Sequence, residues 1–190
     1  RSPTFALPHI CRRKNWKNGI LNKMLKVQRY FLEIRAIDYK KKNFILPKNY
    51  KIILERKNFT INKFFYKQIG IDHYWRDRLI WTDKEWQTYI SNPNLETWVI
   101  KNGQELVGFY EQEFHPKRNE IELINMGILK EYRGKKLGSA LLLFMIENSF
   151  KKKAERIWVH TCSLDHRYAL QNYKSKRFKI FKKEEIDFVA

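Results

Sequence analysis

Between residues 120 and 161 the chain reads as a strand, a basic turn interrupted by glycines, a strongly apolar helix and a second strand, and no other stretch constrains the fold as tightly. Leu137, Ala140, Leu141, Phe144 and Met145 recur at i, i+3, i+4, i+7 and i+8, so they share one face of a helix predicted over 134–150. Residues 156–161 follow as a mostly apolar strand. When a helix of this kind joins two strands of one sheet, the strands run parallel and the crossover is right-handed in nearly every known case. A parallel pair with a helix buried against it is therefore expected inside whatever sheet the rest of the chain builds.

The remaining segments supply antiparallel partners. Residues 27–36 and 50–55 read as strands, and Phe59, Ile61, Phe64, Phe65 and Ile69 fall near helical spacing in a first helix over 58–69. Thr82 followed three residues later by Glu85 is a capping-box signature that opens a second helix ending near Ile90. The aromatic-rich stretch from His73 to Trp81 between them is expected to cover the core. Strands at 96–101, 105–113 and 120–129 form a meander, with Asn102-Gly103 as a strong hairpin signal. A last helix over 165–176, capped by Ser163 or Asp165, and a last strand over 178–182 complete the chain. The fold class is α/β (α+β): a mixed, mostly antiparallel central sheet with helices on both faces.

A chain of 190 residues supports one ordinary domain. Its 43% hydrophobic and 15% aromatic content excludes intrinsic disorder as a whole. The longest apolar run, Ala140 to Ile146, falls far short of the ~20 residues of a spanning helix. Of 39 Lys/Arg, residues 1–68 hold 18 against only 3 acidic groups, so most of the net charge of +19 sits in the first third. A Lys-rich solvated surface accounts for that excess; contact with RNA or another polyanion through this basic face is the alternative. Met24 offers a start, so residues 1–23 are expected to be a basic extension outside a domain spanning 24–190. Cys11 and Cys162 are too far apart in sequence to read as a disulfide framework, and no secretory signal pattern is present, so a reducing, cytoplasmic setting is expected.

The chemistry concentrates at the turn entering the apolar helix, Arg133-Gly134-Lys135-Lys136-Leu137-Gly138. A strand that passes through a short glycine-containing turn straight into a helix gathers unpaired main-chain N–H groups in one small volume, which is an anion site. Arg133, Lys135 and Lys136 add cations to the positive end of the helix dipole, so a phosphorylated ligand is implied. The spacing is neither that of a Walker loop nor that of a dinucleotide turn.

These residues resemble the GNAT superfamily of N-acetyltransferases, whose signature at this junction is Arg/Gln-x-x-Gly-x-Gly/Ala; Lys136 stands where the first motif glycine would be. A second match is 165–173, with Ala169 followed four residues later by Tyr173, and the element order from about 50 to 183 is similar to the family's. Arg177-Phe178 replaces the Gly-Phe that usually follows that helix. The resemblance implies a GNAT-like sheet with its parallel pair around the cofactor-binding helix, acetyl-CoA as cosubstrate, and acyl transfer to a primary amine by direct attack in a ternary complex. It implies that the main chain of Arg133, Gly134, Lys135, Lys136, Leu137 and Gly138 receives the pyrophosphate, with Asn172 also at the coenzyme. The backbone at Met126 and Ile128 would polarise the thioester carbonyl, and Tyr173 would protonate the departing sulfur.

For the base that deprotonates the amine, strand alternation puts Glu122 on the same face as Met126, with Glu120 and Glu111 in reserve. His160 and His166 flank Cys162, but transfer through an acyl-cysteine is unusual in the superfamily. No metal-ligand spacing is present. The acceptor amine is not legible, and the protein is expected to be a monomer or homodimer without a membrane partner.

Overall fold

The computed structural model describes residues 24–189; the expectations for residues 1–23, Cys11 among them, lie outside the described residues. Seven strands form one sheet: β1 (Met24–Arg35), β2 (Tyr50–Glu55), β3 (Leu95–Asn102), β4 (Glu105–His115), β5 (Glu120–Ile128), β6 (Arg156–Cys162) and β7 (Lys179–Val189). They lie in the order β2-β3-β4-β5-β6-β1-β7. Every neighbouring pair is antiparallel except β5 and β6, the pair that the crossover helix dictates. The helices are α1 (Phe59–Gly70), α2 (Asp83–Ile90), α3 (Leu137–Lys151) and α4 (Ala169–Ser175). No helix among the described residues is long and apolar enough to cross a membrane.

Two clusters of side chains form the core, one on each face of the sheet. Leu137, Leu141, Leu142, Met145 and Ile146 of α3 pack on Leu32, Ile100, Ile121, Leu123, Ile157 and Val159. Phe65 and Ile69 of α1 and Trp86 of α2 pack on Val99 and Phe109, with the Phe65 and Phe109 rings stacked at 4.8 Å. The expected capping box forms in full: Thr82 Oγ1 accepts from the Glu85 N–H, and the Glu85 carboxylate accepts from the Thr82 N–H at 2.7 Å.

The end of the chain departs from expectation in two places. The last helix is short, because Asp165 does not cap it: its carboxylate accepts from Thr161 Oγ1 at 2.6 Å and the Cys162 N–H at 3.0 Å, holding a turn that delays the helix to Ala169. The last strand runs eleven residues, well beyond Lys182. Its polar Lys-Lys-Glu-Glu run shows no apolar alternation; partners on β1 hold it in place, among them Gln28 to Glu185, Arg29 to Glu184 and Lys26 to Asp187.

Candidate active site

β5 and β6 pair only from Glu120 opposite Arg156 to Leu123 opposite Val159. Past Val159, β6 continues with β1 while β5 continues with β4, so the parallel pair forks. A cleft of about 480 Å³ opens in the fork, walled by β5 from Leu123 to Ile128, by Val159 and His160 of β6, by the start of α3 and by α4.

The cause of the fork is local to β5. Glu111 of β4 stands opposite Asn125 and Gln112 opposite Leu123, so Ile124 has no counterpart: a β-bulge of two residues against one. An extra residue reverses the alternation of side chains beyond it. Ile121 and Leu123 lie beneath α3, but Asn125 and Gly127, which regular alternation would place beside them, point to the α1 face. A Cβ on Gly127 would come within 2.6 Å of Ile69 of α1.

The turn into α3 supplies the second feature. Gly134 has φ +82° and Lys136 φ +58°, and Lys136 is the N-cap of α3 in the left-handed conformation. Backbone alternating in this way gathers N–H groups into an anion-binding concavity. Among the described residues, none of the five main-chain N–H groups from Gly134 to Gly138 finds a main-chain acceptor; the first to do so is Ser139, to the Lys136 carbonyl at 3.1 Å. They sit at the positive end of a fifteen-residue helix and beside the cleft.

Residues 61–177, more than half of the sequence, match the model of the acetyltransferase (GNAT) family. The chain belongs to the GNAT family. No curated protein matches the sequence significantly. The fold is similar to a GCN5-related N-acetyltransferase from Sphaerobacter thermophilus (TM-score 0.64, 10% identity, 86% of this chain and 52% of that one), so the chain spans about half the length of that protein. It is also similar to an aminoglycoside acetyltransferase from an uncultured soil metagenomic sample (TM-score 0.59, 14% identity, 68% and 88%). A third similar structure is an IAA acetyltransferase from Bacillus cereus (TM-score 0.52, 20% identity, 70% and 79%).

Within this GNAT domain, Met126, Ile128, Arg133, Gly134, Lys136, Leu137, Gly138, Asn172 and Tyr173 all line the cleft. Lys135 does not; its ammonium lies 5.4 Å from the centroid of the Tyr132 ring. Lys136 occupies the motif's glycine position with the positive φ that favours glycine, so the departure from the signature is stored as backbone strain. Arg177, in place of the helix-ending glycine, likewise has φ +73°.

The three carboxylates considered as bases are all elsewhere. The bulge puts Glu122 and Met126 on opposite faces, which corrects the same-face placement; Glu122 Oε2 lies 3.1 Å from His115 Nε2 and holds that imidazole's pKa above its usual value. Glu120 is buried between Arg156 at 2.7 Å and Arg118 at 2.8 Å. Glu111 is fully buried and accepts from four side chains. Cys162 is buried in the core cluster on the α1 face and is no part of the cleft wall.

Among the residues that line the cleft and can move protons are Tyr173, His160, His73, His166 and Asp165. Burial, with the nearby Asp165 charge, raises the Tyr173 pKa and keeps its hydroxyl a donor. Burial first, then Arg133, His73 and Arg167, lowers the pKa of His166, so this imidazole is neutral at neutral pH. Its ring stands 6.0 Å from that of His73, on the 3-10 turn after α1. Arg133 joins the same two walls, donating to the Ile128 carbonyl at 3.0 Å and to Asp72 at 3.2 Å. Nothing in the sequence signals the His73 contribution, because α1 and the turn after it lie more than fifty residues from the motif; His160 and His166 are visible in sequence only as neighbours of Cys162.

Proposed function

We propose that the protein is an acetyl-CoA-dependent N-acyltransferase that delivers an acetyl group to a primary amine by direct attack in a ternary complex. The observation that carries this reading is the run of five unpaired main-chain donors from Gly134 to Gly138 at the mouth of a forked parallel pair. Those donors fit a diphosphate, and the fork leaves a slot beside the β5 main chain for an extended arm ending in a thioester. Around Met126 the backbone is paired with β4 but free of β6, so its groups on the side away from β4 are available to polarise the thioester carbonyl as negative charge develops on oxygen.

Two proton movements complete the reaction. Tyr173 keeps its proton at neutral pH and lines the cleft, so it serves as donor to the departing thiolate. His160 stands one residue beyond the last β5–β6 pair and lines the same cleft, so its imidazole takes the base role in place of Glu122. Burial of Cys162 in the core argues for direct transfer rather than an acyl-enzyme.

The test is thermal unfolding with acetyl-CoA or with poly(U) at matched ionic strengths. At a concentration about a hundred times Kd, acetyl-CoA should stabilise by roughly 2.7 kcal/mol, a rise of about 5–10 °C for a chain of this length, largely retained at higher salt. No response to acetyl-CoA, with a response to poly(U) that collapses steeply with salt, overturns the assignment in favour of a polyanion-binding module.

A further inference from the structure

The most unusual interior feature of the molecule is an ion pair with no exposure to solvent. Arg78 Nη1 donates to Glu111 Oε2 at 3.0 Å, and both side chains are 0% exposed. The same carboxylate accepts from Asn62 of α1 at 2.6 Å, from the Tyr89 hydroxyl of α2 at 2.9 Å and from Asn125 of β5 at 2.8 Å. The guanidinium lies over the rings of Tyr89 at 4.2 Å and Trp81 at 5.0 Å. Burial by itself disfavours its charge, but Tyr89 and Glu111 beside it keep Arg78 protonated. One carboxylate thus ties together α1, α2, the segment between them, β4 and β5.

Stability alone does not explain such a group. Desolvating two charges offsets most of their attraction, and apolar residues of similar size often serve as well or better; the best-attested gain from a buried ionic group is a fixed register. Here the register at stake is that of the bulge. Asn125 is the first β5 residue past Ile124, and only with the bulge where it stands does its amide reach Glu111. Moving the bulge by one residue would turn Asn125 toward α3 and leave Glu111 short of a donor in a dry interior.

We infer that Glu111 is a positioning residue: through Asn125 it pins the β5 bulge, and thereby sets the aim of the Met126–Ile128 main chain into the cleft. The inference rests on the acyltransferase reading above, since it assigns to Glu111 the geometry with which the backbone meets a thioester. Glu111 touches no reactant; it acts through Asn125 and the strand.

The test needs no knowledge of the acceptor. Infrared difference spectra of acetyl-CoA carrying a ¹³C carbonyl read the polarisation of the bound thioester, and thermal shifts with acetyl-CoA read its binding. In the full-length wild type the carbonyl band should move to lower wavenumber on binding. Asn125→Ala, which leaves the Arg78–Glu111 pair intact, should return the band toward its position in free solution while the acetyl-CoA thermal shift stays within about 1 °C of wild type. Glu111→Gln should do the same with a larger loss of intrinsic stability; Asn125→Ala carries the test if that variant does not fold. A wild-type band that shifts equally in Asn125→Ala overturns the role of Glu111 and leaves the acyltransferase reading standing. A wild type that binds acetyl-CoA with no band shift removes the polarising role of β5 and this inference with it, and a wild type that does not bind acetyl-CoA overturns both.

Discussion

The turn into α3 makes a prediction with opposite signs at two positions two residues apart. Lys136 sits at φ +58°, where an L-residue is strained by about 1–2 kcal/mol relative to its favoured basins. Replacing it by glycine relieves that strain, but the more flexible glycine stabilises the unfolded chain by roughly 0.5–1 kcal/mol. The net expectation for Lys136→Gly is stabilisation by about 0.5–1 kcal/mol, a rise in Tm of roughly 1–4 °C. Gly134 has φ +82°, and a Cβ there would meet nothing within 4 Å, so Gly134→Ala introduces strain without a clash. The same arithmetic reversed predicts a loss of about 0.5–1 kcal/mol. Both variants keep the main-chain donors, so acetyl-CoA should still raise Tm in each; Lys136→Gly, which removes an ammonium, should bind it with weaker salt dependence. Differential scanning calorimetry of wild type and both variants, with and without acetyl-CoA at two ionic strengths, reads each of these outcomes. If Lys136→Gly lowers Tm in the absence of ligand, the left-handed N-cap is not where the strain lies and the account of this turn fails.

Two further outcomes separate the roles assigned in the cleft. With an amine found by screening for release of free CoA, Tyr173→Phe should lower kcat by about 10²-fold or more with little change in KM for acetyl-CoA, as expected for loss of an acid in the transition state; unchanged turnover removes Tyr173 from the mechanism. Glu122→Gln should leave turnover near wild type and act on stability instead. Because Glu122 raises the folded-state pKa of His115 above the unfolded value near 6.5, the pair adds stability that is fully present below that value and is lost as pH rises through the folded pKa. The Tm gap between wild type and Glu122→Gln should therefore be larger at pH 5.5 than at pH 8.5, and a gap independent of pH would sever the link to His115.

Local chemistry dictates much of this molecule independently of its packing. The apolar stripe of α3, the Thr82–Glu85 capping box, the Asn102-Gly103 hairpin and the parallel pair each follow from periodicity or from the chirality of short connections. The donor-rich turn is equally legible, because glycines between a strand and a helix expose main-chain N–H groups wherever the rest of the chain lies. Which side chains face the cleft is not legible in the sequence, because a strand's side-chain alternation holds only while its register is unbroken. With Ile124 unpaired, Met126 faces away from Glu122, and His160, one residue past the last β5–β6 pair, lines the cleft. That bulge belongs to no residue type; Glu111, the carboxylate opposite Asn125, is held by α1, α2 and the segment between them, up to 49 residues away in sequence, and the charged β7 likewise gained its strand character only from β1. Short-range patterns settle which elements form and where main-chain donors cluster, whereas the identity of the groups facing that cluster is a property of register, which only contacts distant in sequence decide.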